Sequence, residues 1–160
     1  MHRVAEPKAL VSSVANAVDV TWVCADFAEL TVRQLYDVLE LRQRVFVLEQ
    51  DCLFPDIDGD DQNLCHLMAY DGDSLVAYSR FGAGTIGRVI IAKSHRGRGM
   101  SYDLMLRSIE AVRSRYGPLP ITIGAQAHLQ ALYKRIGFVP SSEEYDEDGI
   151  MHIDMILESS

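Results

Sequence analysis

Residues 87–105, GRVIIAKSHRGRGMSYDLM, constrain the fold more than any other stretch of the chain. The β-branched run RVIIA predicts a buried strand. It passes through two glycines into a segment whose Met105, Ile109 and Val112 recur at helical spacing. The two arginines between them stand at the unfavourable end of that helix. Its first turn carries unbonded N–H groups and roughly half a positive charge, so Arg96 and Arg98 predict an anion at this point. Gly97 and Gly99 let main chain approach such a ligand where a Cβ would obstruct it.

The rest of the chain builds an α/β domain around this unit. DVTWVCA predicts a first strand, and Thr31 with Gln34 forms a capping box ahead of a long helix ending near Gln50. Val32, Leu35, Tyr36, Leu39 and Phe46 are its expected apolar stripe. DCLFPDIDGDDQN, with five aspartates, must be a loop. LCHLMAYD and SLVAYSRF read as strands joined by a turn at DGD, and GAGTIG as a break before RVIIA. The second helix should stop at Gly117. LPITIGA then reads as a strand, HLQALYKRIGF as a short helix closed by Gly137, and GIMHIDMIL as a last strand. The order β, α, β-hairpin, β, α, β, α, β is that of a mixed sheet with helices on its faces.

The 160 residues fit one domain with a real core, and 48% hydrophobic with 24% charged residues is globular composition. No apolar run approaches the roughly 18 residues of a membrane span. Glu6, Pro7 and Lys8 interrupt the N-terminus, which therefore lacks a signal-peptide core. Residues 1–19 are read as a flexible lead-in, 20–160 as the single domain, and the location as cytoplasmic. Cys24, Cys52 and Cys65 have neither disulfide-framework nor zinc-site spacing. A net charge of -8 argues against non-specific nucleic-acid binding. Charge is nevertheless segregated: residues 88–98 hold four bases and no acid, residues 49–61 six acids and no base.

Two motifs mislead. GAGTIG matches G-x-G-x-x-G, but a strand follows where a dinucleotide fold needs a helix, and the Lys and Ser/Thr of a phosphate loop are missing. An EF-hand starting at Asp56 would need Gly and Glu where Asp61 and Leu67 stand. No metal is expected.

Arg96, Gly97, Arg98, Gly99, Met100 and Ser101 resemble the signature of the GCN5-related N-acetyltransferase (GNAT) family: Arg or Gln, two residues, Gly, one residue, then Gly or Ala. Ser101 departs from the last position. QAHLQALYKRIGF resembles the family's second cofactor motif, with Gln126 where Asn is more usual, then Tyr133 and the Gly137-Phe138 ending. From Leu30 onward the chain is similar to the ElaA-type branch, notably in QLYDVLELRQRVFVLEQDC, DIDGDD and YDEDGIMHIDM.

The resemblance implies a GNAT fold whose parallel strands RVIIA and ITIGA splay apart to admit acetyl-coenzyme A. The pantetheine would pair with Val89, Ile90 and Ile91, and the pyrophosphate with residues 97–101, including the amides of Met100 and Ser101. It also implies direct acetyl transfer to a primary amine, small molecule or peptide, with Tyr133 protonating the leaving thiolate. Glu49 is the leading base, His66 and His128 the fallbacks, and a homodimer is compatible with the family. Acids at Glu49, Asp51, Asp56, Asp58, Asp60 and Asp61 fit a cationic acceptor. The alternatives are an acyl-homoserine-lactone-synthase-like acyltransferase and a non-catalytic coenzyme A-binding module.

Overall fold

The computed structural model describes residues 19–159, so the expected lead-in, apart from Asp19, lies outside the described residues. Strand β1 (Thr21–Asp26) leads to helix α1 (Val32–Arg42). Thr31 caps α1 as predicted: its Oγ1 accepts from the Gln34 amide at 3.0 Å, and the Gln34 side chain accepts from the Thr31 amide at 2.9 Å. The helix continues over Gln43–Glu49 with π geometry, closed by a bond from the Gln50 amide to the Val45 carbonyl.

The apolar stripe of this helix differs from the expected one. Val38, Leu41, Arg42 and Val45 are buried, whereas Val32 and Tyr36 are 89% and 72% exposed. The buried positions keep the i, i+3, i+4, i+7 spacing, but a fully buried arginine occupies the middle of the face. An apolar pattern search cannot choose that register.

Strands β2 (Cys65–Asp71) and β3 (Ser74–Gly82) form the predicted hairpin. The break expected over GAGTIG is present but confined to Ala83 and Gly84. β3 runs on to Gly82 and β4 (Thr85–Ile91) starts at Thr85, leaving a two-residue turn. A Cβ at Gly84 would lie 3.0 Å from the Pro120 carbonyl, and its φ of +81° also calls for glycine. Helix α2 (Met100–Tyr116) buries Met105, Ile109 and Val112 and ends at Gly117. Strand β5 (Ile121–Gln126) follows, then helix α3 (Gln130–Ile136), closed by Gly137 at φ +118°. Two short strands were not anticipated, β6 (Val139–Pro140) and β7 (Tyr145–Glu147), both paired with the last strand, β8 (Ile150–Leu157). Segments of two and three residues are too short to carry an alternation signal.

The sheet order is β1-β2-β3-β4-β5-β8-β6, with β7 also on β8. Alternation along β3 assigns the helices to opposite faces. Ser79 meets Ser108 of α2 at 2.7 Å, while Arg80, one residue on, shares Asp61 with Arg42 of α1. No helix among the described residues is long and apolar enough to cross a membrane.

The sheet opens at its centre. β4 and β5 are parallel and pair only at Thr85 and Thr122. Past that point β4 carries a bulge: Gly87 pairs with Arg80 and Ile90 with Tyr78, so Arg88 and Val89 both stand opposite Ser79. Arg88 adopts φ +50°, and the extra residue bends β4 away from β5.

Candidate active site

The splay leaves a cleft of about 760 Å³. Val89, Ile90 and Ile91 form one wall, Ile123 and Gln126 the other, and Tyr133 of α3 closes one side. Among the described residues no strand pairs with the β5-facing edge of β4 beyond Thr85. That edge presents main-chain groups of Val89 and Ile91 to whatever enters, because Ala92 donates to the Val76 carbonyl and the alternation therefore turns Ile90 toward Tyr78 of β3. Gln126 reaches across to the end of the π-helix, its Nε2 donating to Gln50 Oε1 at 3.1 Å.

The glycine turn lies at the head of α2. Gly97 and Gly99 have φ of +76° and +78°, and no atom beyond the adjoining residues lies within 4 Å of where a Cβ would stand on either. The amides of Met100, Ser101 and Tyr102 begin the helix and have no carbonyl four residues earlier within it. Open space before free amides fits a diphosphate. Met100 contributes only main chain there, since its side chain is buried in the core, while Ser101 lines the cleft.

The two arginines differ. Arg98 is exposed. Arg96 lines the cleft but is held from within: its Nε donates to the Ile91 carbonyl at 3.0 Å, and its Nη2 lies 2.7 Å from Glu49 Oε2. Glu49, expected as the base, borders a separate hollow of about 410 Å³ beside Lys93 and Ser94, with its carboxylate turned to Arg96.

Tyr133 is buried edge-on against Phe138, with ring centroids 6.0 Å apart. Burial pushes its phenol up to about 12, so it keeps its proton at neutral pH. His128 stands exposed at the cleft margin. His66 does not line the cleft. It is fully buried, with Nε2 2.9 Å from the Asp61 carbonyl and Nδ1 2.7 Å from the Tyr78 hydroxyl. A carbonyl only accepts, so Nε2 carries the hydrogen and Nδ1 accepts from Tyr78. Burial lowers the affinity of this imidazole for a second proton, which makes it a core histidine.

Half of the expected acceptor-binding acids are already neutralised. Arg42 donates to Asp56 Oδ2 at 2.9 Å and to Asp61 Oδ1 at 2.7 Å. Arg80 donates to Asp61 Oδ1 at 2.8 Å and to Asp58 Oδ2 at 2.6 Å, and Arg88 Nε lies 2.8 Å from Asp56 Oδ1. Hydrogen bonds from Arg80 hold the Asp58 carboxyl well below the usual range. Burial pulls Asp61 upward, but the bonds from Arg42 and Arg80 together outweigh it. The loop is therefore a tethered wall of the cleft, which it lines with Phe54, Pro55 and Asp58.

The sequence reading missed the opposite wall. The β7–β8 hairpin brings Tyr145, Glu147, Asp148 and His152 into the cleft. The available signal was a histidine on the polar side of the alternating strand GIMHIDMIL.

A sheet parted over a helix N-terminus, with a buried tyrosine at the seam, is the architecture that the sequence motifs implied. The chain belongs to the GNAT acetyltransferase family, whose acetyltransferase (GNAT) domain matches residues 34–159. Protein ElaA of Escherichia coli (strain K12) is 41% identical, covering 87% of this chain and 97% of ElaA. The crystal structure of E. coli ElaA matches with a TM-score of 0.83 at 40% identity, over 88% of this chain and 100% of that one. An acyl-CoA N-acyltransferase from Pseudomonas aeruginosa gives the same TM-score and identity over 87% and 99%. The CoA-dependent acyl-homoserine lactone synthase BjaI, at 17% identity, TM-score 0.69 and coverage of 89% and 84%, shares the fold.

Proposed function

We propose that this protein transfers an acetyl group directly from acetyl-coenzyme A to a primary amine. The observation that carries the reading is the buried, proton-retaining Tyr133 on a cleft whose β4 edge is unpaired. Bound acetyl-coenzyme A supplies an activated thioester. Main chain of Val89 and the Ile91 amide offer strand-like hydrogen bonds to the pantetheine, and Arg98 with the amides at the head of α2 offers the anion site. Tyr133 gives its proton to the departing sulfur. Glu49 fits a supporting part, holding Arg96 against the Ile91 carbonyl.

Saturating acetyl-coenzyme A should raise the melting temperature, by the equivalent of about 2.7 kcal/mol at one hundred times Kd, while ADP should do far less. Thiol release across a panel of amines should then reveal turnover. A protein that binds coenzyme A but acetylates no amine would be a binding module, and one that ignores acetyl-coenzyme A would overturn the reading altogether.

The arginines separate by the same assay. Arg98→Glu should weaken coenzyme A binding by about 1.5–3 kcal/mol and leave the free protein's melting temperature nearly unchanged. Arg96→Glu should lower both, because it sets a carboxylate against Glu49 and the Ile91 carbonyl. Unchanged affinity in the Arg98 variant would remove it from the anion site.

A further inference from the structure

We propose that His152, paired with Glu147, receives and deprotonates the acceptor amine, an inference that rests on the acetyl-transfer reading above. Both residues line the same cleft as Tyr133. His152 lies on β8 opposite Gln126 of β5, beside the strand that parts from β4. Its side chain is 13% exposed, screened from bulk water yet reachable from the cleft.

The ring is held in one orientation. Nδ1 lies 2.8 Å from the Ile150 carbonyl, which only accepts, so Nδ1 carries the hydrogen in the neutral ring. Tyr145 stacks on the imidazole with centroids 6.1 Å apart, and its own hydroxyl donates to Asp154 Oδ1 at 2.6 Å. The lone pair is therefore on Nε2, which faces Glu147 Oε2 at 3.5 Å. In the neutral ring these are two acceptors with no hydrogen between them. An ammonium supplies what is missing: it can donate to both atoms at once.

Glu147 then holds the incoming cation, Nε2 takes one of its protons, and the carboxylate stabilises the imidazolium that forms. The freed nitrogen lone pair forms the C–N bond as the C–S bond breaks. Sulfur leaves with the Tyr133 proton, the second proton lost by nitrogen makes up that loss, and His152 releases the net proton to solvent. The charged and titratable groups around the ring are Glu147 and Tyr145 of β7, Asp148 of the turn and Asp154 of β8, while β5 offers the neutral Gln126. Arg88, Asp58 and His128 stand on other walls of the cleft.

Two measurements on the full chain test this. In 15N-histidine NMR above the imidazole titration, the signal lost in His152→Gln should show the Nδ1–H tautomer; an Nε2–H tautomer overturns the proposal. In kinetics, His152→Gln should keep the thermal shift with acetyl-coenzyme A, lower kcat/KM by about 10²- to 10⁴-fold, lose the rising limb of the pH profile, and regain activity with added imidazole. Glu147→Gln should raise KM for cationic amines more than it lowers kcat. An active wild type alongside a His152→Gln enzyme of unchanged rate and pH profile overturns this proposal alone. A wild type that acetylates no amine overturns it together with the acetyl-transfer reading.

Discussion

Tyr133→Phe should lower turnover by about 10²- to 10⁴-fold while the Michaelis constants and the melting temperature barely move. The phenylalanine ring keeps the edge-on contact with Phe138 and the seal on the cleft; only the hydroxyl is lost. Burial keeps that hydroxyl protonated, so it can assist departure of the thiolate and contributes little before the C–S bond lengthens. Steady-state rates with an accepted amine, under conditions where chemistry limits, decide the matter. Wild-type turnover in the variant would leave Tyr133 as a packing residue and require another donor to sulfur.

Asp61→Asn should destabilise the fold by about 3–5 kcal/mol, the range for removing one partner of a buried ion pair. Arg42 is wholly buried, Arg80 nearly so, and both donate to the same Asp61 oxygen. Urea midpoints measure the loss, with Glu40→Gln as the control: its partner Arg44 is on the surface, and removal should cost less than about 1 kcal/mol. The effect should depend on pH in a definite sense. Asp58 and Asp61 are held below the usual carboxylate range, so the stability they add is complete above roughly pH 4 and is lost as acid drives the pH through their lowered values. Asp61→Asn should accordingly lose less of its remaining stability on acidification than the wild type does. A variant destabilised by less than about 1 kcal/mol would show that the arginines do not depend on this carboxylate.

Local chemistry was what the sequence made legible. The Thr31–Gln34 box, the stops at Gly117 and Gly137 and the glycine turn ahead of α2 each depend on residues a few positions apart. The β4 bulge was not visible, because Arg88 and Val89 become two residues against one only when Ser79 is fixed opposite them. The charge network was hidden for a related reason. Asp61 looks like an exposed loop acid until β3 delivers Arg80 and α1 delivers Arg42, each 19 residues away in sequence. The same buried Arg42 interrupts the apolar face of α1, which is why the expected stripe falls on the exposed Val32 and Tyr36. On the site, the cleft gathers Val89, Ile90, Ile91, Ser101, Gln126 and Tyr133, but β7, a three-residue strand too short to register, brings Glu147 to the same place beside His152 of the expected last strand.

The arginine tethers of the acidic loop set a rule for recombination. Asp56, Asp58 and Asp61 are bound by Arg42 before the loop and by Arg80 and Arg88 well after it. A chimaera with a crossover anywhere between positions 42 and 88 separates some acids from their arginines unless the donor chain supplies matching charges. Exchanging residues 51–64 alone to reshape this side of the cleft would bring in a foreign wall with no anchors beneath it. The transferable cassette is the whole segment from α1 through the β4 bulge, and libraries that shuffle this fold should place their breakpoints outside it.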